Sequence, residues 1–312
     1  MSTVLRLRAA GLVAGAAALL LTGLTALTGC SDHGPAEPSA VVSSLGAQAR
    51  QPTASASPDA GTLPRLQHVV VVVEENHAES QVIGSRSAPY LNSLARQGAS
   101  FTSSYGEYHP SQPNYLALFS GSTQGLGDDS CPHRFSGPNL GSQLLSAGLT
   151  FTGYADSLPH TGYLGCTSGD YARKHAPWTD FPALPASVDQ PWSRHPADWS
   201  ALPTVSFVIP DLQHDMHDGT VRQADDWLRA NLGGYVQWAR SHDSVLLVTW
   251  DEDDDTPANR IPTLIVGAHV RPGVYTEAVD HYRLLRTIEA LYGLPTAGQS
   301  ARRAPITDIW QR

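Results

Sequence analysis

Gln67-His68-Val69-Val70-Val71-Val72-Val73 runs directly into Glu74-Glu75-Asn76-His77. The valine run shows no alternation of apolar and polar residues. It reads as a strand buried on both faces, the signature of a parallel sheet. The pattern recurs. Thr204-Val205-Ser206-Phe207-Val208-Ile209-Pro210 ends in Asp211-Leu212-Gln213-His214-Asp215-Met216-His217-Asp218-Gly219, and Ser244-Val245-Leu246-Leu247-Val248-Thr249-Trp250 ends in Asp251-Glu252. Ile261 to Val266 is short and mostly apolar and is expected to be a fourth, central strand. Helical patterns occupy Ala88 to Gln97, Leu140 to Ala147, Asp225 to Arg240 and Tyr282 to Tyr292, with a kink or break expected at Gly233-Gly234. The alternation predicts an α/β fold, a mostly parallel central sheet with helices on both faces. Ligands of such sheets bind beyond the carboxyl ends of the strands. Three strands therefore deliver acids, amides and imidazoles to one edge.

A fourth contribution comes from His109-Pro110-Ser111-Gln112-Pro113-Asn114-Tyr115-Leu116. Pro113 fits a first helical turn, and the apolar run after it has helical spacing. A serine at a helix start can attack phosphorus while free backbone N–H groups hold the phosphoryl oxygens. The plainer alternative is an N-cap serine that only begins the helix. Likewise Asp211 and Asp251 alone read as caps, and His214 and His217 as loop histidines. Their convergence on one sheet edge favours a site.

Outside this region, Arg6 and Arg8 precede an apolar run from Ala9 to Leu27, closed by Leu27-Thr28-Gly29-Cys30. This reads as an export signal over residues 1–29 that resembles a lipobox, with Cys30 as the lipidated residue. A plain signal peptide or a single membrane anchor is the alternative. Residues 30–65 are rich in Ala, Ser and Pro and read as a flexible tether; residues 66–312 suffice for one α/β domain. The expected location is the outer face of the cell membrane, or the exterior. Cys131 and Cys166 remain, and in an exported chain they most simply form one disulfide. A net charge of −9 argues against nucleic-acid binding. No protein partner and no organic cofactor are implied; the membrane is contacted through Cys30.

The strand ending Glu75-Asn76, the Ser-Gln-Pro-Asn-Tyr segment from Ser111, Pro210 to Gly219 and Thr249 to Asp254 together resemble the phosphoesterase family of bacterial acid phosphatases and phospholipases C, within the alkaline phosphatase superfamily. Tyr171 to Pro177 and His281 to Glu289 extend the likeness, which is strongest to short, secreted actinobacterial members. The resemblance implies that Glu75, Asn76, Asp251 and Glu252 bind a metal beside Ser111, the nucleophile. It implies that Asp211, His214, Asp215 and His217 form a second metal site or else bind phosphate and protonate the leaving group. Asn114, His175 and His281 are expected around the same pocket. Distant relatives carry an Asp-His pair where Glu252 follows Asp251, which counts against a second, zinc-type site.

The expected reaction is phosphate monoester hydrolysis through a phosphoserine on Ser111, with His214 or His217 as the general acid, and phosphoinositides among the candidate substrates. The donors Glu75, Asn76, Ser111, Asp251 and Glu252 are all oxygens. They suit one hard divalent ion, Ca²⁺ or Mg²⁺ ahead of Mn²⁺ and Zn²⁺. A phospholipase C-type phosphodiesterase would use the same core. The larger ones carry extra C-terminal domains, so the end of this chain soon after His281 favours a monoesterase. A non-catalytic solute- or phosphate-binding lipoprotein would share the tether and the α/β core, but would not need a serine beside three acidic strand ends.

Overall fold

A computed structural model describes residues 63–311; the leader, Cys30 and the tether through residue 62 lie outside the described residues. Leu63, placed by the sequence in the tether, already packs against the core. The elements run in the order β1 (His68–Glu74), α1 (Glu79–Val82), α2 (Pro89–Gln97), β2 (Ala99–Tyr105), α3 (Ser111–Ser120), α4 (Leu140–Ser146), β3 (Phe151–Ala155), β4 (Thr167–Ser168) and β5 (Tyr171–Ala172). They continue through β6 (Asp189–Pro191), β7 (Val205–Ile209), α5 (Val221–Ala239), β8 (Ser244–Trp250), β9 (Arg260–Gly267), β10 (Gly273–Tyr275), β11 (Val279–Asp280) and α6 (His281–Leu291).

Nine strands form one sheet in the order β10-β2-β9-β8-β1-β7-β3-β6, with β11 also paired to β2. The valine strand β1 sits between β8 and β7, parallel to both, and Val69 to Val73 are at most 1% exposed. Each buried valine is worth about 1.5–3 kcal/mol relative to exposure. Alternate valines face opposite layers. Val69, Val71 and Val73 meet Leu116 and Phe119 of α3, Leu140 of α4 and Leu284 of α6, whereas Val70 and Val72 meet Leu91 of α2 and Leu228 and Leu232 of α5. Helices thus cover both faces.

Several details differ from the sequence expectation. The Ile261–Val266 run lies inside the sheet, but β9 is antiparallel to both β8 and β2. The acidic loop after β8 is a short return, so no crossover helix reverses the chain there. Strand β2 escaped the sequence reading because Ala-Ser-Phe-Thr-Ser-Ser-Tyr is half polar. Its Ser104 hydroxyl bonds Thr263 at 2.7 Å, which bonds Thr249 at 2.9 Å, so buried hydroxyls ladder across three strands. Helix α5 begins earlier than Asp225, at Val221. Thr220 caps it by accepting from the Gln223 N–H at 3.2 Å, and it continues unbroken through Gly233-Gly234. The seventeen other residues of this 19-residue helix offset the glycine pair's cost of about 1 kcal/mol each.

Candidate active site

The carboxyl ends of β1, β7 and β8 lie on one edge, as parallel register requires. The segment between β2 and α3 crosses this edge. Gly106 makes the crossing possible: a Cβ there would lie 2.7 Å from the Asp251 carbonyl oxygen. Asn114 fixes the rest of the segment. Its Oδ1 accepts from the Glu107 and Tyr108 N–H groups at 2.8 and 2.9 Å, and its Nδ2 donates to the Tyr108 carbonyl at 2.8 Å. Asn114 is thus a fixture of the loop that delivers Ser111, and its placement differs from that of a phosphate ligand.

Ser111 is the first residue of α3, and Pro110 holds the cap position. The hydroxyl does not cap the helix. It donates toward Glu75 Oε2 at 2.9 Å and Glu252 Oε1 at 3.1 Å, bringing the ends of β1 and β8 to one oxygen. The Asn76 N–H donates to Asp251 Oδ1 at 3.3 Å. Asn76 Oδ1 and Asp251 Oδ2 are buried without hydrogen-bond partners among the described residues. Such oxygens cost free energy unless something else engages them. An all-oxygen set of three carboxylates, one amide and one hydroxyl therefore fits a hard divalent cation.

The electrostatics agree. Burial, then the charges of Asp251 and Asp215, push the Glu75 carboxyl well above the usual range. Burial and neighbouring Glu252 do the same to Asp251. Burial carries Asp215 to about 7 and also raises Glu252, whose His109 contact pulls the other way. Packed acids of this kind resist ionising together unless a cation balances them.

The other expected residues divide into groups. His175 joins the centre: its Nε2 lies 3.1 Å from Glu75 Oε1 and its Nδ1 3.4 Å from Asp215 Oδ2. Ligand atoms of Glu75, His175 and Asp215 lie within 4.8 Å of one another, a second donor set that shares Glu75. Burial, then the Lys174 and His217 charges, hold the His175 pKa well below its ordinary value. His217 lies beside this group, its ring 5.9 Å from that of His175 and its Nε2 3.5 Å from Lys174 Nζ. His214 points elsewhere. Its Nδ1 lies 2.7 Å from Asp211 and 3.3 Å from Asp156, and Asp211 also accepts from the Ser157 hydroxyl at 2.6 Å. Asp211 and His214 thus form a separate cluster with Asp156. His281 is buried and donates from Nε2 to the Trp250 carbonyl at 3.0 Å, bracing the residue before Asp251.

Sequence reasoning missed four contributors. The Tyr115 phenol donates to Glu75 Oε1. It stands four residues after Ser111, hence on the same helix face, a spacing that was readable. His109 contacts Glu252 and lines a cleft of about 460 Å³ with Asn76 and Asp253. Burial works against a charge on His109, yet Glu252, Thr256 and Asp253 together hold its pKa above the ordinary value. Lys174, the chain's only lysine, donates to Asp129 Oδ2 at 2.7 Å. Asp129 Oδ1 in turn accepts from the Gln112 N–H at 2.9 Å. No local pattern announces Asp129, which lies in the irregular connection between α3 and α4. The Cys131–Cys166 disulfide ties that connection to the segment before β4, with Cα atoms 5.9 Å apart.

Comparison with known proteins accords with this geometry. A phosphatidylinositol-3-phosphatase of Mycobacterium tuberculosis is 51% identical over 254 residues, covering 80% of this chain and 85% of that protein. A probable acid phosphatase of Kluyveromyces lactis is 26% identical, covering 77% of this chain and 61% of the yeast protein. Among solved structures, an alkaline phosphatase superfamily protein from Vibrio parahaemolyticus aligns with a TM-score of 0.50 at 14% identity, covering 78% of this chain and 72% of that one. The lipoteichoic acid synthase LtaP of Listeria monocytogenes aligns with a TM-score of 0.53 at 11% identity, covering 78% and 77%. The phosphoesterase family matches residues 84–295. With Ser111 between the carboxylates of β1 and β8, and with most of its length matched, the chain belongs to the phosphoesterase family and has the fold of the alkaline phosphatase superfamily.

Proposed function

We propose that this phosphatase hydrolyses phosphate monoesters through a phosphoserine on Ser111, and that phosphoinositides are among its substrates. The observation that carries the reading is the Ser111 hydroxyl, placed at a helix start and aimed at Glu75 and Glu252. The mycobacterial relative's name supports a phosphoinositide substrate. The leader and Cys30 support an exported, lipid-anchored enzyme.

Glu75, Asn76, Asp251 and Glu252, with Ser111, would hold one hard divalent ion, Ca²⁺ or Mg²⁺. When bound, such an ion neutralises phosphoryl charge and lowers the pKa of the serine hydroxyl. The chain's own groups do the rest. Ser111 Oγ attacks phosphorus and passes its proton to a carboxylate it already faces. The ester P–O bond breaks, and the departing oxygen takes a proton from His217, which stands beside Lys174 and His175. A water then attacks the phosphoserine and gives a proton to His217, the P–Oγ bond breaks, Ser111 recovers its proton from the carboxylate, and phosphate leaves. Lys174 and the Gln112 N–H offer positive charge to the phosphoryl oxygens.

The test is hydrolysis of p-nitrophenyl phosphate and of phosphatidylinositol 3-phosphate by wild type and Ser111→Ala, with acid-quenched peptide mass spectrometry. Phosphate on Ser111 and loss of turnover in the variant are expected. A variant that keeps more than a few per cent of the rate removes Ser111 from the reaction.

A further inference from the structure

Asp129 contacts two groups that a phosphate monoester needs. One carboxylate oxygen accepts from the N–H of Gln112, the residue next to Ser111; the other accepts from Lys174 Nζ. The Gln112 N–H is one of the N–H groups that the first turn of α3 cannot satisfy internally. Lys174 borders the centre. It lies 3.5 Å from His217 Nε2 and next in sequence to His175, which touches Glu75. Two oxygens on one amide and one ammonium reproduce what two phosphoryl oxygens would do beside the nucleophile.

The contact is accessible: the Lys174 and Asp129 side chains are 19% and 27% exposed. A partly exposed ion pair of this type adds little stability. While it is closed, however, it neutralises the lysine and sets a carboxylate against any incoming phosphate dianion. A fixed fifth acid here would oppose substrate binding, whereas a displaceable one only competes with it. The covalent structure keeps the two arms together. Cys131, two residues from Asp129, is bonded to Cys166, and the Cys166 carbonyl accepts from the Arg173 N–H at 2.9 Å, one residue before Lys174. Tethering of this kind keeps the internal ligand at high effective concentration.

We propose that Asp129 is a built-in competitor for the phosphoryl group. Its carboxylate occupies the anion position made by the Gln112 N–H and Lys174, and phosphate binds by displacing it. The inference rests on the phosphatase reading and adds a consequence: Asp129 speeds departure of product phosphate by reclaiming its partners.

The experiment titrates inorganic phosphate calorimetrically into the full chain, as wild type, Asp129→Ala, Asp129→Asn, Lys174→Met and the Asp129→Ala/Lys174→Met double variant. Asp129→Ala should bind phosphate about ten-fold more tightly, the worth of one charged hydrogen-bond competitor. Asp129→Asn, which keeps the shape and loses the charge, should fall between and serves if the alanine variant does not fold. Lys174→Met should weaken binding and cancel most of the gain in the double variant. The phosphate-free Tm of Asp129→Ala should not rise, so that tighter binding cannot be ascribed to a sturdier fold. Unchanged or weaker phosphate binding in both Asp129 variants, or no phosphate heat in any protein, overturns the competitor; Asp129 would then be a holder of Lys174. A parallel assay of wild type on p-nitrophenyl phosphate separates the two ideas. No hydrolysis there removes the phosphatase reading, whereas hydrolysis without tighter phosphate binding removes the competitor alone.

Discussion

Tyr115 and Ser111 donate to the two different oxygens of one carboxylate, Glu75, from successive turns of α3. The tyrosine is buried, and burial followed by the Glu75 charge pushes its phenol far above the ordinary value, so it stays a donor. It orients Glu75 without approaching the reacting atoms. Tyr115→Phe keeps the packing and removes one hydrogen bond to a charged group. A loss of about ten- to a hundred-fold in kcat/KM follows, from the 1.5–3 kcal/mol typical of such bonds. Steady-state kinetics with calorimetric metal titration checks it, and metal affinity should fall alongside the rate. Wild-type kinetics in the variant would show that Glu75 needs no such support.

The carboxylate cluster makes a prediction about stability without metal. Glu75, Asp251 and Asp215 have folded-state pKa values above those of free acids, Asp215 at about 7. A raised acid binds more protons folded than unfolded, so it costs stability as pH climbs from the unfolded value through the folded one. His175 and His281 are both lowered by burial and work in the opposite direction, but only below the ordinary histidine value of about 6.5. The window is therefore about pH 6.5 to 8. Chelator-treated protein should lose Tm across it, and added Ca²⁺ or Mg²⁺ should restore more at the upper end. Scanning calorimetry at several pH values measures this. A metal-free Tm that rises through the window would mean that the cluster does not control stability.

The disulfide offers a simpler measurement. Cys131 and Cys166 are 35 residues apart, and closing a loop of that size stabilises by about 3–4 kcal/mol in the chain-entropy description. The Cys131→Ser/Cys166→Ser double variant should lose close to that amount in urea unfolding. Peptide mapping of protein made in an oxidising compartment should find no free thiol at either position. An unchanged midpoint would show that the cross-link does not restrict the unfolded chain as the chain-entropy description requires.

Strand β1, helix α3 and the acidic ends of three strands were legible because each announces itself locally, by a valine run, a proline in a first turn, or carboxylates after an apolar stretch. Buried parallel strands fix the edge at which Glu75, Asp251 and Glu252 emerge, so their convergence with Ser111 at the candidate site required no side-chain detail. What escaped depends on contacts between distant segments. Asp129 meets Gln112 and Lys174 only because the disulfide-tied connection folds back over α3. Asn114 looked like a ligand by its place in the motif, yet its amide is fully engaged by the segment before it. Similarly, His214 and His217 are three positions apart, and a turn, with Met216 at φ 81°, sends their rings to different partners. Spacing alone cannot resolve a turn of that kind.

That divergence supplies the last prediction. His217 stands beside Lys174 and His175, whereas His214 is held by Asp211 and Asp156. If His217 protonates the leaving oxygen, its loss must depend on the leaving group. An alkyl phosphate releases a strongly basic oxygen that needs a proton, whereas p-nitrophenolate leaves unaided. His217→Asn should therefore slow glycerol phosphate hydrolysis by about 10²-fold or more while slowing p-nitrophenyl phosphate far less. His214→Asn should slow both substrates alike and lower Tm, because it opens the Asp156–Asp211 cluster and leaves two acids facing each other. The ratio of the two rates, measured for each variant, is the readout. It cancels differences in folded fraction, which scale both rates together. A ratio unchanged in His217→Asn but shifted in His214→Asn would transfer the proton donor to His214. Ratios unchanged in both variants, with metal content reduced in each, would instead favour two metal-holding histidines and a leaving group protonated by water.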